Sequence, residues 1–363
     1  MKKILFVLSL MLLFISGCSV SENTDPPTTT VQPIVAETAT PTEIPFPENS
    51  TFSVHYIDVG QADAALVLCD SQVLLIDGGN VADSSLIAAY LKKLNINYLD
   101  YIVCTHAHED HVGGLSGALS VAKAGVIYAP KTTANTKAYN NFIRKVAEQN
   151  LQITHPSPGD NVTLGSSTVQ FLGPITENVN DINSTSIVLK INYGNTSFLF
   201  TGDAERDEEL AIINAGYDLN ADGLKVGHHG SDSSTSYIFL REIMPQYAVI
   251  SVGASNNYGH PTEAVLSRLR DADVEVYRTD LQGDIIAVSD GSIVTITTER
   301  NTDIQTNETQ AEISEETYIG NKNSRKFHRP SCNTLPAEKN RIYFSSRDEA
   351  INSGFSSCGN CHP

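Results

Sequence analysis

The chain has 363 residues, 40% hydrophobic and 18% charged, which is enough apolar material for packed cores in two or three domains. Acidic residues outnumber basic ones 42 to 24, for a net charge of −18, and this excludes a broad basic face for nucleic acid because the long-range field repels phosphate. A single apolar run near the start approaches membrane length, so a multi-span channel or transporter is excluded as well.

That run comes first in chain order. Lys2 and Lys3 precede an apolar stretch from Ile4 to Ile15 broken only by Ser9. It is too short to span a bilayer but suits the hydrophobic region of an export signal. The following Ile15-Ser16-Gly17-Cys18 resembles a bacterial lipobox. The resemblance implies a lipoprotein signal peptide over 1–17, lipidation of Cys18, and an extracytoplasmic protein tethered to the cell membrane. Residues 18–50 are rich in Thr, Pro and Glu and cannot form a core. They read as a solvated stalk with a reach of roughly 30 Å as a coil.

From Phe52 the pattern turns to short apolar runs between turn residues. Strands are expected at Phe52–Val59, Ala64–Leu68 and Val73–Ile76, then a helix over Ser84–Leu94. Strands Tyr101–Cys104 and Val126–Ala129 follow, with a helix at Ala138–Gln149. Further strands are expected at Thr168–Leu172, Ile187–Ile191, Phe198–Thr201, Leu224–Val226 and Ala248–Val252 and near 274–278, 285–289 and 293–297. Helices fall after Glu205, near Ser234–Met244 and over Thr262–Arg270. The mixture predicts one layered α/β domain over 51–298, an acidic linker over 299–316 and a cysteine-bearing tail over 317–363.

Thr105-His106-Ala107-His108-Glu109-Asp110-His111-Val112-Gly113-Gly114 is the strongest chemical signal. It follows a strand and precedes glycines that allow close backbone packing. Residues two apart on an extended segment point the same way, so His106 and His108 can share one metal. Asp110 and His111, on the following bend, can face a second. Imidazole and carboxylate are ordinary ligands of Zn²⁺ and Mn²⁺.

The H-x-H-x-D-H pattern resembles the metallo-β-lactamase fold superfamily. Around it stand Asp58-Val59-Gly60-Gln61-Ala62-Asp63, Asp77-Gly78-Gly79, Thr201-Gly202-Asp203-Ala204-Glu205, His228-His229-Gly230-Ser231 and Tyr258-Gly259-His260-Pro261. Together these look like the hydrolase domain of ComEC-type competence proteins and their free-standing relatives. The resemblance implies an αββα sandwich with two divalent ions at the sheet edge. Asp203, at a strand end, would bridge them, and His229 would complete the second site. His228 would either orient substrate or ligate, and His260 would contact phosphate or donate a proton. Asp77 would either support the ligand loop or serve as a turn former. One departure from the family is the histidine expected between 111 and 203. The only candidate is His155, and the expected region reads Asn183-Ser184-Thr185-Ser186. The first metal is left with fewer histidines, and Mn²⁺ is as suitable as Zn²⁺.

In the tail, His328, Cys332, Cys358 and Cys361 form a His-Cys₃ set suited to one structural zinc, with a disulfide as the competing reading. The stretch F-H-R-P-S-C and the closing G-F-x-x-C-x-x-C resemble the small zinc domain of Ada-type DNA repair proteins, with His328 in place of that family's methyl-accepting cysteine. Methyl transfer should then be absent, leaving structure or DNA contact. Seven bases (Lys322, Arg325, Lys326, Arg329, Lys339, Arg341, Arg347) face three acids (Glu338, Asp348, Glu349), so the tail is basic on an otherwise acidic chain. Cys69 and Cys104 are expected as buried thiols, or as a disulfide pair.

The resulting expectation is an exported, lipid-anchored hydrolase with two metals, Asp110 among its catalytic residues, acting as a phosphodiesterase or nuclease on DNA. The alternatives are a cell-surface phosphodiesterase for phosphocholine or teichoic-acid-like polymers and a non-catalytic DNA-binding surface protein. A β-lactamase fits less well, because the H-H-G-S and G-H-P elements belong to the other branch.

Overall fold

A strand that is apolar at consecutive positions has to bury both of its faces. In a computed structural model, which describes residues 52–176, 181–308, 318–344 and 347–361, the strands do so by sharing residues between cores. Leu66 and Leu75 point to one side of their sheet, while Ala65, Val67, Leu74 and Ile76 point to the other. In the second sheet Phe198 and Phe200 face the first sheet, and Leu199 faces away. Three cores result, separated by two sheets. The outer ones are closed by helices Ser84–Lys93, Leu115–Val121 and Lys137–Glu148 on one side and Arg206–Ala215, Tyr237–Ile243 and Glu263–Asp271 on the other. The architecture is the expected αββα sandwich.

The first sheet has eight strands in the order Val294–Thr298, Ile285–Ser289, Phe52–Tyr56, Ala65–Cys69, Gln72–Ile76, Tyr98–Val103, Lys123–Tyr128 and Ile153–Thr154. The second has seven, Glu275–Arg278, Tyr247–Ile250, Gly223–Lys225, Thr196–Phe200, Leu189–Tyr193, Ser167–Phe171 and Asn161–Leu164. The last four strands of the first sheet are parallel, as are Thr196–Phe200, Gly223–Lys225, Tyr247–Ile250 and Glu275–Arg278 in the second. The loops leaving these strands therefore collect at one edge of each sheet, and Asp77, His106–His111, Asp203, His228, His229 and His260 lie on such loops.

Helix Leu115–Val121 was not expected from the sequence. It contains Gly117, a residue that disfavours helices. A Cβ on Gly117 would lie 2.0 Å from the Ser84 carbonyl oxygen, so the glycine is what lets this helix press on Ser84–Lys93. Strands Ile153–Thr154 and Asn161–Leu164 were also unforeseen, being short, polar and at sheet edges.

The tail forms its own four-stranded sheet, Arg341–Phe344, Tyr318–Asn321, Lys326–His328 and Ser356–Ser357, over a small core of Tyr318, Phe327, Phe344, Ala350 and Phe355. The expected signal peptide, Cys18 and stalk lie outside the described residues. Among those described, no helix is long and apolar enough to cross a membrane.

The segment expected as a linker begins as a docked strap. Arg300 reaches Asp58 Oδ2 at 3.0 Å, Asn301 donates to the Leu281 carbonyl at 2.7 Å, and the buried Thr306 hydroxyl donates to the Val276 carbonyl. Beneath it, burial pushes the Asp284 carboxyl up to about 6, with Glu299 and Asp58 adding repulsion against the hydrogen bond from Asp58 N. A carboxyl raised in the folded state favours folding below its unfolded value near 4, and this contribution is lost as pH rises through 6. Asp284→Asn keeps the acceptor oxygen and removes the charge. It should raise stability at pH 8 by on the order of 1–3 kcal/mol and change nothing near pH 4, as measured by denaturant unfolding at the two pH values.

Candidate metal centre

Asp77 directly follows strand Gln72–Ile76, and Thr105 lies two residues after the end of the neighbouring parallel strand, so the two loops leave the sheet side by side. Asp77 takes a left-handed backbone, φ 56°, and turns its carboxylate inward. It accepts from Thr105 N at 2.7 Å and the Thr105 hydroxyl at 2.6 Å, and it meets His111 Nδ1 at 2.8 Å. The two expected roles, turn former and support for the ligand loop, thus coincide in one residue. Gly114 makes the close packing possible, because a Cβ there would lie 1.8 Å from the Gly78 carbonyl oxygen.

The loop after Tyr98–Val103 brings His106 Nε2 within 3.1 Å of His108 Nδ1. The second sheet supplies Asp203, almost fully buried. Its Oδ1 lies 3.3 Å from His111 Nε2, and its Oδ2 lies 3.8 Å from His106 Nε2, 3.6 Å from His228 Nε2 and 3.8 Å from His229 Nε2. Asp110 Oδ2 approaches His229 Nε2 at 3.4 Å. His106, His111 and Asp203 form one group of convergent ligand atoms, and Asp110, His111 and His229 form another, both within 4.8 Å. His111 belongs to both groups, so two cation positions would be adjacent, with Asp203 between them.

These residues fit a pair of divalent cations on their own chemistry. Asp203 Oδ1, His111 Nε2 and His229 Nε2 are buried and make no hydrogen bond among the described residues, although they face one another. Burial alone would lower the His229 and His111 pKa values. The carboxylates of Asp203 and Asp63 outweigh it and push His229 to about 10, and those of Asp203 and Asp77 raise His111 well above the usual range. Burial and the neighbouring His111 hold His106 well below it. Burial disfavours the charged forms of Asp203 and Asp110, but the surrounding imidazoles win, holding Asp203 well below the carboxylate range and Asp110 at about 2. The pocket therefore demands positive charge.

Several residues of the centre carried no role in the sequence reading. Asp63, from D-V-G-Q-A-D, is buried and pairs with His229 Nδ1 at 3.1 Å and Lys225 Nζ at 2.8 Å. Lys225 gave no signal at all, since only the tertiary pairing marks it. His228 and His229 both adopt left-handed backbone, φ 51° and 53°, which costs about 1–2 kcal/mol per non-glycine residue. His228 Nδ1 donates to Ser233 Oγ at 3.2 Å, and Ser233 donates to Glu205 Oε1 at 3.1 Å. This relay leaves His228 Nε2 bare and facing Asp203.

His228 and His260 sit with His108, Asp110, Asp203 and His229 around a cleft of about 320 Å³. Burial and the facing imidazoles lower His260 to about 4. Where the family places a further histidine, Ser186 Oγ stands 3.3 Å from His106 Nδ1 and accepts from Asp203 N at 3.1 Å. His155 hydrogen-bonds the Ala129 carbonyl and lines a different cavity with Pro130 and Pro156.

In the tail, the ligand atoms of His328, Cys332, Cys358 and Cys361 also converge within 4.8 Å. The Asn360 and Cys361 backbone N–H groups lower the Cys358 thiol to about 7, which favours the metal-binding thiolate. All cysteines among the described residues are free, including Cys69 and Cys104, which are buried.

Fold and site together define a metal-dependent hydrolase fold followed by a small zinc-type module. Residues 57–254 match the model described as the metallo-beta-lactamase superfamily, and the chain belongs to that superfamily. Residues 300–363 match the metal binding domain of Ada. Among curated relatives, ComE operon protein 3 of Bacillus subtilis (strain 168) is 31% identical over 65% of this chain and 33% of its own length. Competence protein ComA of Neisseria gonorrhoeae is 34% identical over 65% of this chain and 32% of its own. The chain thus spans about one third of the curated relatives it matches. Among solved structures, the metallo-beta-lactamase fold protein YhfI from Bacillus subtilis covers 68% of this chain and 100% of its own, at 16% identity and a TM-score of 0.44.

Asp77→Asn should weaken divalent-metal affinity roughly 10–100-fold while the domain stays folded, because His111 loses the charge that fixes its ring and raises its basicity. Calorimetric titration with Mn²⁺ and Zn²⁺, alongside circular dichroism, reads both halves of this expectation.

Proposed function

We propose that the chain is a two-metal phosphodiesterase that cleaves DNA outside the cytoplasmic membrane, tethered there through a lipid on Cys18. The observation that carries the reading is Asp203, whose two oxygens stand between the His106 side and the His111–His229 side of one cleft. A single carboxylate shared by two groups of imidazoles suits two cations better than one.

His106, His108 and His228 would hold the first ion, with His228 standing in where the further histidine is missing. Asp110, His111 and His229 would hold the second, and Asp203 would serve both. When bound, two such ions supply Lewis acidity and a nucleophilic water at neutral pH. The protein's own part is orientation. Asp77 engages Nδ1 of His111, and the Ser251 carbonyl, with Asp63 alongside, engages Nδ1 of His229, so that the Nε2 lone pairs face the cleft. Gln61 approaches His260 Nδ1 at 3.5 Å, which leaves the His260 Nε2–H as a donor for a phosphoryl oxygen.

DNA as the substrate is supported by the name of one relative as a competence protein and by the basic tail on an acidic chain. The compartment is supported by Lys2, Lys3, the apolar run and Ser16-Gly17-Cys18. The manganese- or zinc-loaded protein should cleave DNA and lose that activity to a chelator. Asp203→Asn should reduce kcat at least about a hundredfold, beyond the range typical of outer-shell partners. Chelator-resistant cleavage, or turnover of p-nitrophenylphosphorylcholine with none of DNA, would overturn the reading.

A further inference from the structure

Tyr258 stands at the mouth of the cleft with 73% of its surface exposed. A ring of this size ordinarily gains by burial, and leaving it out forfeits that gain. The position is nonetheless a fixed one. Its ring stacks on His260, with centroids 5.7 Å apart and planes inclined by 28°. The loop beneath is pinned by the Asn256 amide, which donates to the carbonyls of Gly253 at 2.9 Å and His260 at 2.6 Å. The same amide accepts from the backbone N–H groups of Tyr258 and His260, both at 3.1 Å. The His260 ring in turn meets His228 edge-on at 5.8 Å, and His228 Nε2 faces Asp203. A ladder of three rings therefore leads out from the metal cleft and ends on an open aromatic face.

We infer that this outer face of Tyr258 is a stacking platform for an unpaired base, beside the nucleotide whose phosphodiester lies at the metal centre. The inference rests on the phosphodiesterase reading and narrows its substrate to single-stranded nucleic acid. Every base has a π-face, so stacking recognises a strand without regard to its sequence. In a duplex that face is already covered by neighbouring bases, and using it requires the base to be turned out. Charge points the same way. A chain of net charge −18 gains little from long-range attraction to phosphate, and an uncharged stacking contact does not need it.

The test uses the full chain loaded with Mn²⁺ and two oligomers of equal length, one of thymidylate and one of abasic tetrahydrofuran residues with the same phosphodiester backbone. The quantity read is the ratio of kcat/KM on the two oligomers, from which general damage to a variant cancels. In the unaltered protein thymidylate should be favoured roughly 5- to 150-fold, the worth of one stacked base. Tyr258→Ala should bring the ratio towards one, mainly through KM for thymidylate, and Tyr258→Phe should keep it. An unchanged ratio in Tyr258→Ala would overturn the inference. A ratio near one in the unaltered protein, with both oligomers cleaved, would overturn the inference and leave the phosphodiesterase reading standing. Cleavage of neither oligomer would remove both.

Discussion

Asp203 is only 2% exposed, so its negative charge has to be met inside the protein rather than by water. The surrounding arrangement answers that requirement. Four imidazoles converge on its two oxygens, and three of them are held from behind by acidic groups, Asp77 for His111, Asp63 for His229, and Glu205 through Ser233 for His228. Each outer acid fixes a ring but adds negative charge of its own. Lys225 offsets part of it beside Asp63, and the rest must be balanced by protons or cations at the Nε2 side. The cluster in that sense demands positive charge on its Nε2 side, which divalent ions would supply.

Such a cluster can form only where backbones from two sheets end together. Parallel strands in both halves deliver their following loops to a common edge, so His106 to His111 from one sheet and Asp203, His228 and His229 from the other meet without long excursions. The left-handed residues Asp77, His228 and His229 store strain at this edge, and the three cores on either side of the sheets hold it in place.

Much of this was legible in the residues. The layered class followed from short apolar strands mixed with helices, and the first ligand group from its compression into six residues. Contributions that arise only on folding were not legible. Asp63 sits in a recognisable motif, yet its role appears only once Lys225 and His229 close around it. The Ser233–Glu205 relay joins positions 28 residues apart through an ordinary serine. Residues 299–308 read as linker because they are polar, but they dock through side-chain bonds to backbone carbonyls, which leave no trace in hydropathy. Helix Leu115–Val121 was hidden by the glycine that its packing requires.

Two metal positions joined through Asp203 would form one magnetically coupled centre. Electron paramagnetic resonance of the protein at saturating Mn²⁺ addresses it without reference to any substrate. The unaltered chain should give the exchange-coupled signal of a dinuclear centre, replaced by uncoupled ions in Asp203→Asn. A six-line mononuclear spectrum from the unaltered chain, with a single ion in the cleft at saturation, would contradict it.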